Sequence, residues 1–497
     1  MRVEPTGIAF IASLAVRRLK DDASIIDAGY TPAASSNSLS EKNHIAGQDC
    51  ERRRWNKIHF MRRFESVTKS VDLAVRWWPR AGAWAFVALL FSSVFTVFNL
   101  MMAVLMPLAD FGLFSYGQSL VLLVGVLIAT LVLEPTTTVG TKYEDHEQLR
   151  YLSFSLIGSL VVGLVTAAPL AAIFWIVQSN NSLELLFAAV IVSPLAQSFH
   201  VVRRYLYMRE QFRFLIALGV LHAILLLAAL VILWLTGTTT PANALAATGV
   251  AGAIPTVWLV SRLRLWRHLP PSYDVMRYAR DHWSYARWTL AAAAPHWLST
   301  SGIVPVAIWF FSLEAGSIYR ICQLVVSPIL QLSQVSSQIL LPFVSQRAHV
   351  RHASYLADVE RKAFWLYLAI AIASTAIVLA ILPYLMNHLI PQELRTVGVV
   401  VLILLLVGTF FDVLRGAQTV TVSAAGRTEF LFISAAASAL IMYLVTVPLV
   451  FLIGVPAIAV GFMIGRISRY AIIRFTAARW VAPRSQPRSR AETQKSQ

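Results

Sequence analysis

Apolar stretches of about twenty or more residues, broken by short polar connections, recur from residue 82 to residue 478. A helix of about twenty apolar residues spans a bilayer. The pattern predicts twelve spans, near 82–107, 112–134, 151–177, 183–206, 212–236, 242–263, 286–311, 315–343, 363–388, 396–423, 428–452 and 455–478. The eighth is the odd one. Glu314 to Pro342 reads EAGSIYRICQLVVSPILQLSQVSSQILLP, with Arg320, Gln323, Ser327, Gln331, Gln334 and Gln338 spaced 3, 4, 4, 3 and 4 residues apart. On a helix this spacing draws one polar stripe, with Ile, Leu and Val opposite. Polar groups are costly in hydrocarbon unless they face protein or water. The stripe therefore predicts a helix lining a wet internal cavity. The alternative is a dry bundle in which each glutamine bonds a neighbouring helix.

Other spans carry shorter polar runs. Ser92, Thr96 and Asn99 share a face of the first span, and Ser193, Gln197, His200 and Arg204 a face of the fourth. His222 lies in the fifth and His296 in the seventh. The tenth carries Asp412 and Arg415, three apart and able to pair, and the twelfth carries Arg466 and Arg469. Asn99, Gln197, His296, Arg415 and Arg466 join the stripe as candidate cavity residues; Asp412 and His222 are candidates for ion coupling. Each also has a plainer reading: hydrogen-bonded interior histidines, a structural Asp412–Arg415 pair, and Arg204 and Arg469 reaching to headgroups.

Hydrophobic residues make up 57% of the chain and charged residues 13%, against roughly half and a quarter for an ordinary soluble chain. This composition marks an integral membrane protein, and the twenty-residue runs make it all-α. The net charge of +17 does not point to nucleic acid, because the basic residues sit in short segments between spans. Connections on one side hold Lys142, Arg150, Arg203, Arg204, Arg209, Arg213, the six arginines from Arg262 to Arg287, and Arg347, Arg351, Arg361, Lys362 and Arg427; those on the other hold Arg395 alone. This bias predicts a multi-pass protein of the bacterial inner membrane with cytoplasmic termini. The domain reading is a disordered basic tail over 1–75 (with Met61 as an alternative start), an N-lobe over 76–263, an inter-lobe loop over 264–285, a C-lobe over 286–478 and a basic tail over 479–497. A short internal repeat joins the halves: Asp110-Phe111-Gly112 opens the second span and Glu314-Ala315-Gly316 the eighth. Two equivalent halves around a central site are a common transporter plan.

Several chemistries find no support. There is no GxxxxGK[ST] sequence for ATP hydrolysis and no His, Cys or carboxylate cluster at metal-ligand spacing. The outer loops are short, and their only acids are Asp110, Glu184, Glu314 and Glu393. A sugar transferase or polymerase acting there needs a positioned acid or base. A non-enzymatic transporter without cofactor is the expectation.

Four segments resemble the polysaccharide flippases (Wzx-type oligosaccharide translocases) of the multidrug/oligosaccharidyl-lipid/polysaccharide (MOP) exporter superfamily. They are Met106–Leu120 (MPLADFGLFSYGQSL), Arg203–Val220 (RRYLYMREQFRFLIALGV), Glu314–Gln346, and Ser423–Phe430 (SAAGRTEF). The resemblance covers about 80–478. It implies two six-helix lobes around a central cavity, alternating access, and an undecaprenyl-pyrophosphate-linked oligosaccharide as substrate for exopolysaccharide, capsule or O-antigen synthesis. Polysaccharide polymerase and export machinery are then the expected partners. A drug/cation antiporter of the same superfamily is the alternative; it wants buried carboxylates, and Asp412 is nearly the only one within the spans.

Overall fold

The computed structural model describes residues 90, 93–140, 143, 145–177, 183–209, 211–348, 353–425 and 428–481. The N-terminal tail, the alternative start at Met61, the beginning of the first predicted span and the tail beyond Val481 lie outside the described residues.

The described chain is helical from end to end. The N-lobe holds α1 (Ser93–Leu105), α2 (Leu108–Ile128), α3 (Asp145–Val177), α4 (Leu183–Met208), α5 (Phe212–Thr236) and α6 (Pro241–Leu263). α2 runs on through a π-helical turn, Ala129–Leu133, into Glu134–Val139. The C-lobe holds α7 (Ser272–Leu298), α8 (Ile303–Phe310), α9 (Leu313–Ala348), α10 (Ala353–Leu389), α11 (Arg395–Ala424), α12 (Thr428–Ile453) and α13 (Pro456–Val481). Nine helices among the described residues are long and apolar enough to cross a membrane. α9 has the length, 36 residues, but its polar stripe keeps it from that set. Side chains such as Ile176, Phe451, Leu452 and Phe475 are about three-quarters exposed on the outer surface of the bundle. Only a hydrocarbon surround makes such a surface stable.

The seventh span differs from expectation. It is two helices, α7 and α8, parted by a break over residues 299–302 that follows Pro295. Proline inside a helix removes a backbone donor and crowds the preceding turn. α7 also begins fourteen residues before the predicted span, within the stretch read as an inter-lobe loop. That first half is amphipathic rather than apolar, so a hydropathy window passes over it. Its buried face docks on the ends of α2 and α3. Tyr278 is fully buried with Val139 and Tyr151, and the Tyr143 hydroxyl donates to Asp281 at 2.9 Å. Arg277 pairs with Glu147 and, at 3.2 Å, with Asp274.

His282 belongs to this docked face. Its Nδ1 lies 2.8 Å from the Tyr151 hydroxyl, and burial lowers its pKa from an ordinary value near 6.5 to about 4, against an opposing backbone hydrogen bond to Leu131. Above about pH 6.5 the ring is neutral in folded and unfolded chains alike, and the docking has its full strength. As the pH falls from about 6.5 to about 4, the unfolded chain takes up a proton that the folded chain refuses, and stability is lost. Acid unfolding followed by tryptophan fluorescence is expected to show this loss, and His282→Gln to flatten it. An unchanged acid limb in His282→Gln would assign the loss elsewhere.

The lobes meet where α2 lies against α9. The contact lies at and beside the two repeated triplets: Ser317 Oγ donates to the Leu108 carbonyl at 2.5 Å, and a Cβ added at Gly112 would overlap the Leu313 carbonyl. Glycine is there because two backbones approach each other. Gly112→Ala is expected to cost about 1–3 kcal/mol by overpacking, read as a lower unfolding temperature of the purified protein. An unchanged value would mean that the helices can part without cost.

Candidate functional site

The stripe on α9 divides into two parts with different surroundings. Ser327, Gln331 and Gln334 face a cavity of about 550 Å³ between α9 and the interior of the N-lobe. Across it, α4 presents Gln197, His200, Arg203 and Arg204; α2 presents Gln118, α5 His222 and α6 Thr248. Thr300 and Ser301, in the break after α7, complete the polar wall, and Phe95, Leu122, Leu226 and Leu330 supply apolar surface between. The volume is that of a small-ligand pocket. No lining residue is a carboxylate. Glu134, outside the lining, interacts electrostatically with Arg204.

Several lining groups are held in place by the helices behind them. His222 Nδ1 donates to the Ala251 carbonyl at 2.9 Å, and its ring stacks on Phe199 with centroids 4.7 Å apart. Gln197 lies against Gly125 of α2, where a Cβ would strike its amide. Ser327 Oγ lies 3.3 Å from Thr96 Oγ1 of α1. The Gln331 Oε1 is buried and has no partner among the described residues, which leaves an acceptor for a ligand.

Arg320 and Gln323, the head of the stripe, do not line the cavity. Arg320 is 8% exposed and bonds across the lobe boundary: its NH2 donates to Gln118 Oε1 at 2.5 Å and its NH1 to Gln323 Oε1 at 2.6 Å. Gln323 Nε2 in turn donates to the Thr300 carbonyl at 3.3 Å. This network roofs the cavity at the end away from the arginine-rich connections. Trp297 Nε1 to the Ser119 carbonyl and Trp309 Nε1 to the Tyr116 hydroxyl, both 3.3 Å, extend the same seam.

The other expected residues are scattered. Asn99 is fully buried; its Nδ2 donates to the Phe95 carbonyl at 2.7 Å, and it does not line the cavity. Asp412, Arg415 and Arg466 form a separate cluster inside the C-lobe. Arg415 Nε donates to Asp412 Oδ1 at 2.7 Å and Arg466 NH1 lies 3.2 Å from Asp412 Oδ2. The side chains of His296 and Gln338 lie outside the described residues. Conversely, Arg203 and Arg204, read from sequence as membrane-edge residues, line the cavity with His200. The i, i+3, i+7 run Gln197–His200–Arg204 carries the signal; its last member lies near the end of α4, a position that suits headgroups equally.

The arrangement defines a multi-pass membrane protein with two helical lobes and a polar cavity that reaches one end of the bundle. Its sequence matches no protein-family model and no curated protein, but its fold has solved counterparts. One is an inward-facing multidrug resistance MATE family transporter of the MOP superfamily, at TM-score 0.61 and 15% identity over 80% of this chain and 98% of that one. Others are a mutant of the Vibrio cholerae MATE transporter VcmN (0.58, 12%, over 83% and 98%) and a MOP superfamily transporter from Pyrococcus furiosus (0.56, 15%, over 81% and 95%). Among its described residues the chain has the fold of these transporters, with helices in two lobes around a central cavity.

Proposed function

We infer that this chain is a flippase. It carries an oligosaccharide linked to a polyprenyl (undecaprenyl) pyrophosphate from the cytoplasmic to the outer leaflet of a bacterial inner membrane, by alternating access. The observation that carries this reading is the cavity wall: two arginines, two histidines, and amides and hydroxyls in number, with no carboxylate among the lining residues. Guanidinium groups suit pyrophosphate oxygens. Gln and Ser offer donors and acceptors to sugar hydroxyls in many orientations. The charge bias puts the end holding Arg203, Arg204 and Tyr207 in the cytoplasm. The form described is then inward-facing, with its roof at the Arg320 network, and the glycan passes through the cavity while the lipid tail stays in the bilayer. Polymerase and export machinery would take the product.

The fold also supports a drug/cation antiporter, since its counterparts include multidrug MATE transporters. Against that reading, Asp412, an acid at mid-span, lies between Arg415 and Arg466 rather than in the cavity. The Pyrococcus furiosus structure is described as having a binding pocket of reverse polarity that suggests a different function, so this fold is not tied to cationic cargo.

The test is leaflet assignment of lipid-linked oligosaccharide in cells with the protein present and depleted. Accumulation on the cytoplasmic leaflet, relieved by wild type, supports the flippase. An unaltered lipid-linked pool with raised sensitivity to cationic drugs replaces it with the antiporter. Arg320→Ala tests the roof. It is expected to shift the lobes toward the outward-open state and raise several-fold the labelling of a cysteine at Ser317→Cys by an external impermeant maleimide. Unchanged labelling would leave Arg320 as a packing residue only.

A further inference from the structure

α11 and α13 bring four charged side chains together, three of them buried and Arg415 half-buried, and the charges do not balance. Asp412 is the single acid. Arg415 and Arg466 each engage one of its oxygens, and each has a further partner: Arg415 NH1 donates to Thr419 Oγ1 at 3.1 Å and Arg466 NH2 to the Ser299 carbonyl at 3.0 Å. Arg466 also lies over the Phe462 ring, 4.7 Å from its centroid. Arg469 follows on the same face of α13. It is 7% exposed, interacts electrostatically with Arg415, Asp412 and Arg466, and makes no hydrogen bond among the described residues. The Nε of Arg466 and that of Arg469 are both buried and unpartnered. A structural ion pair accounts for Arg415 and Arg466. It does not account for a third guanidinium, or for two surplus positive charges in an apolar setting, where an uncompensated charge is strongly disfavoured.

We propose that Arg415, Arg466 and Arg469 hold a small inorganic anion, of the halide or phosphate class, at a C-lobe site separate from the cavity. The anion supplies the missing negative charge and accepts from the idle Nε groups. Asp412 competes with it for Arg415 and Arg466, which weakens the anion enough for it to leave. Arg415 has the most exposed side chain of the four, 17% against 5–8% for Arg466 and Asp412, so exchange runs past it. None of this depends on the flippase reading.

The test uses the full chain in phosphatidylcholine nanodiscs, with thermal unfolding followed as sodium chloride or sodium phosphate replaces sodium gluconate at constant ionic strength. A saturable rise in unfolding temperature is expected. Arg469→Gln should raise its midpoint concentration by about tenfold or more, and it should still fold, because Arg469 donates no hydrogen bond that folding would lose. Asp412→Asn should lower the midpoint by removing the competitor. The proposal is overturned by no saturable rise over gluconate; by the same midpoint in Arg469→Gln; or by a rise that Arg204→Gln abolishes and Arg469→Gln does not, which places the anion in the N-lobe cavity. A rise that needs added phosphatidylglycerol, with no response to free anions, would make the occupant a lipid headgroup and refute the mobile ion.

Discussion

Arg203→Ala/Arg204→Ala, expressed at wild-type level, is expected to abolish relief of the lipid-linked oligosaccharide that accumulates when the protein is depleted. The two guanidiniums are adjacent on α4 and both line the cavity. A charged hydrogen bond to an oxyanion contributes about 1.5–3 kcal/mol, so losing two costs on the order of a hundredfold or more in substrate affinity. Arg203→Lys/Arg204→Lys should recover part of the loss, because charge returns without the bidentate fork. The readout is the fraction of lipid-linked glycan reached by a periplasmic enzyme, with chain abundance measured alongside. Wild-type flipping by the double alanine variant would remove the arginines from substrate binding and leave them as headgroup anchors. Loss of flipping with the chain also lost from the membrane would report a folding role instead.

Asp412→Ala should have the largest effect on stability. It takes the acid from between Arg466, which is buried, and Arg415, which is half-buried. Removing one partner of a buried pair costs about 3–5 kcal/mol, because the remaining charge is stranded. Adding Arg415→Ala to Asp412→Ala should restore part of the lost unfolding temperature. The comparison is made in sodium gluconate, without an exchangeable halide or phosphate; a single variant that melts like wild type there would defeat the charge argument.

The spans were legible because lipid admits only helices whose surfaces are apolar, and that demand writes itself into runs of sequence. Where lipid makes no demand, the sequence carries no such mark. The first half of α7 is half buried against α2 and α3, and its mixed polarity resembles a loop. The break at residues 299–302 follows Pro295, yet proline also sits inside unbroken helices at Pro194 and Pro255, so the residue alone does not announce it. The α9 stripe indicated a polar face but not that its head would bond to α2 while its middle lined a void; that needs the position of the partner helix. Arg203 and Arg204 illustrate the same limit. An arginine near a span's end serves headgroups or a cavity mouth with the same sequence pattern. Asp412 and Arg415 were paired by spacing, whereas Arg466 joined them only through packing of α13 on α11.

The seam between the lobes, where α1 and α2 face α7, α8 and α9, resembles a row of separate fasteners. From the outer end inward, Ser317 to Leu108, Trp309 to Tyr116, Arg320 to Gln118, Trp297 to Ser119 and Thr96 to Ser327 are isolated bonds spread over several helical turns. The neutral ones each contribute about 0.5–1.5 kcal/mol net and the Arg320 bond about 1.5–3 kcal/mol, and water can replace the partner lost as each opens. The lobes thus need not part in one step. They can unzip from the outer end, every stage no more than a small climb above the last, which lets binding energy of ordinary size drive a movement that no single contact forbids.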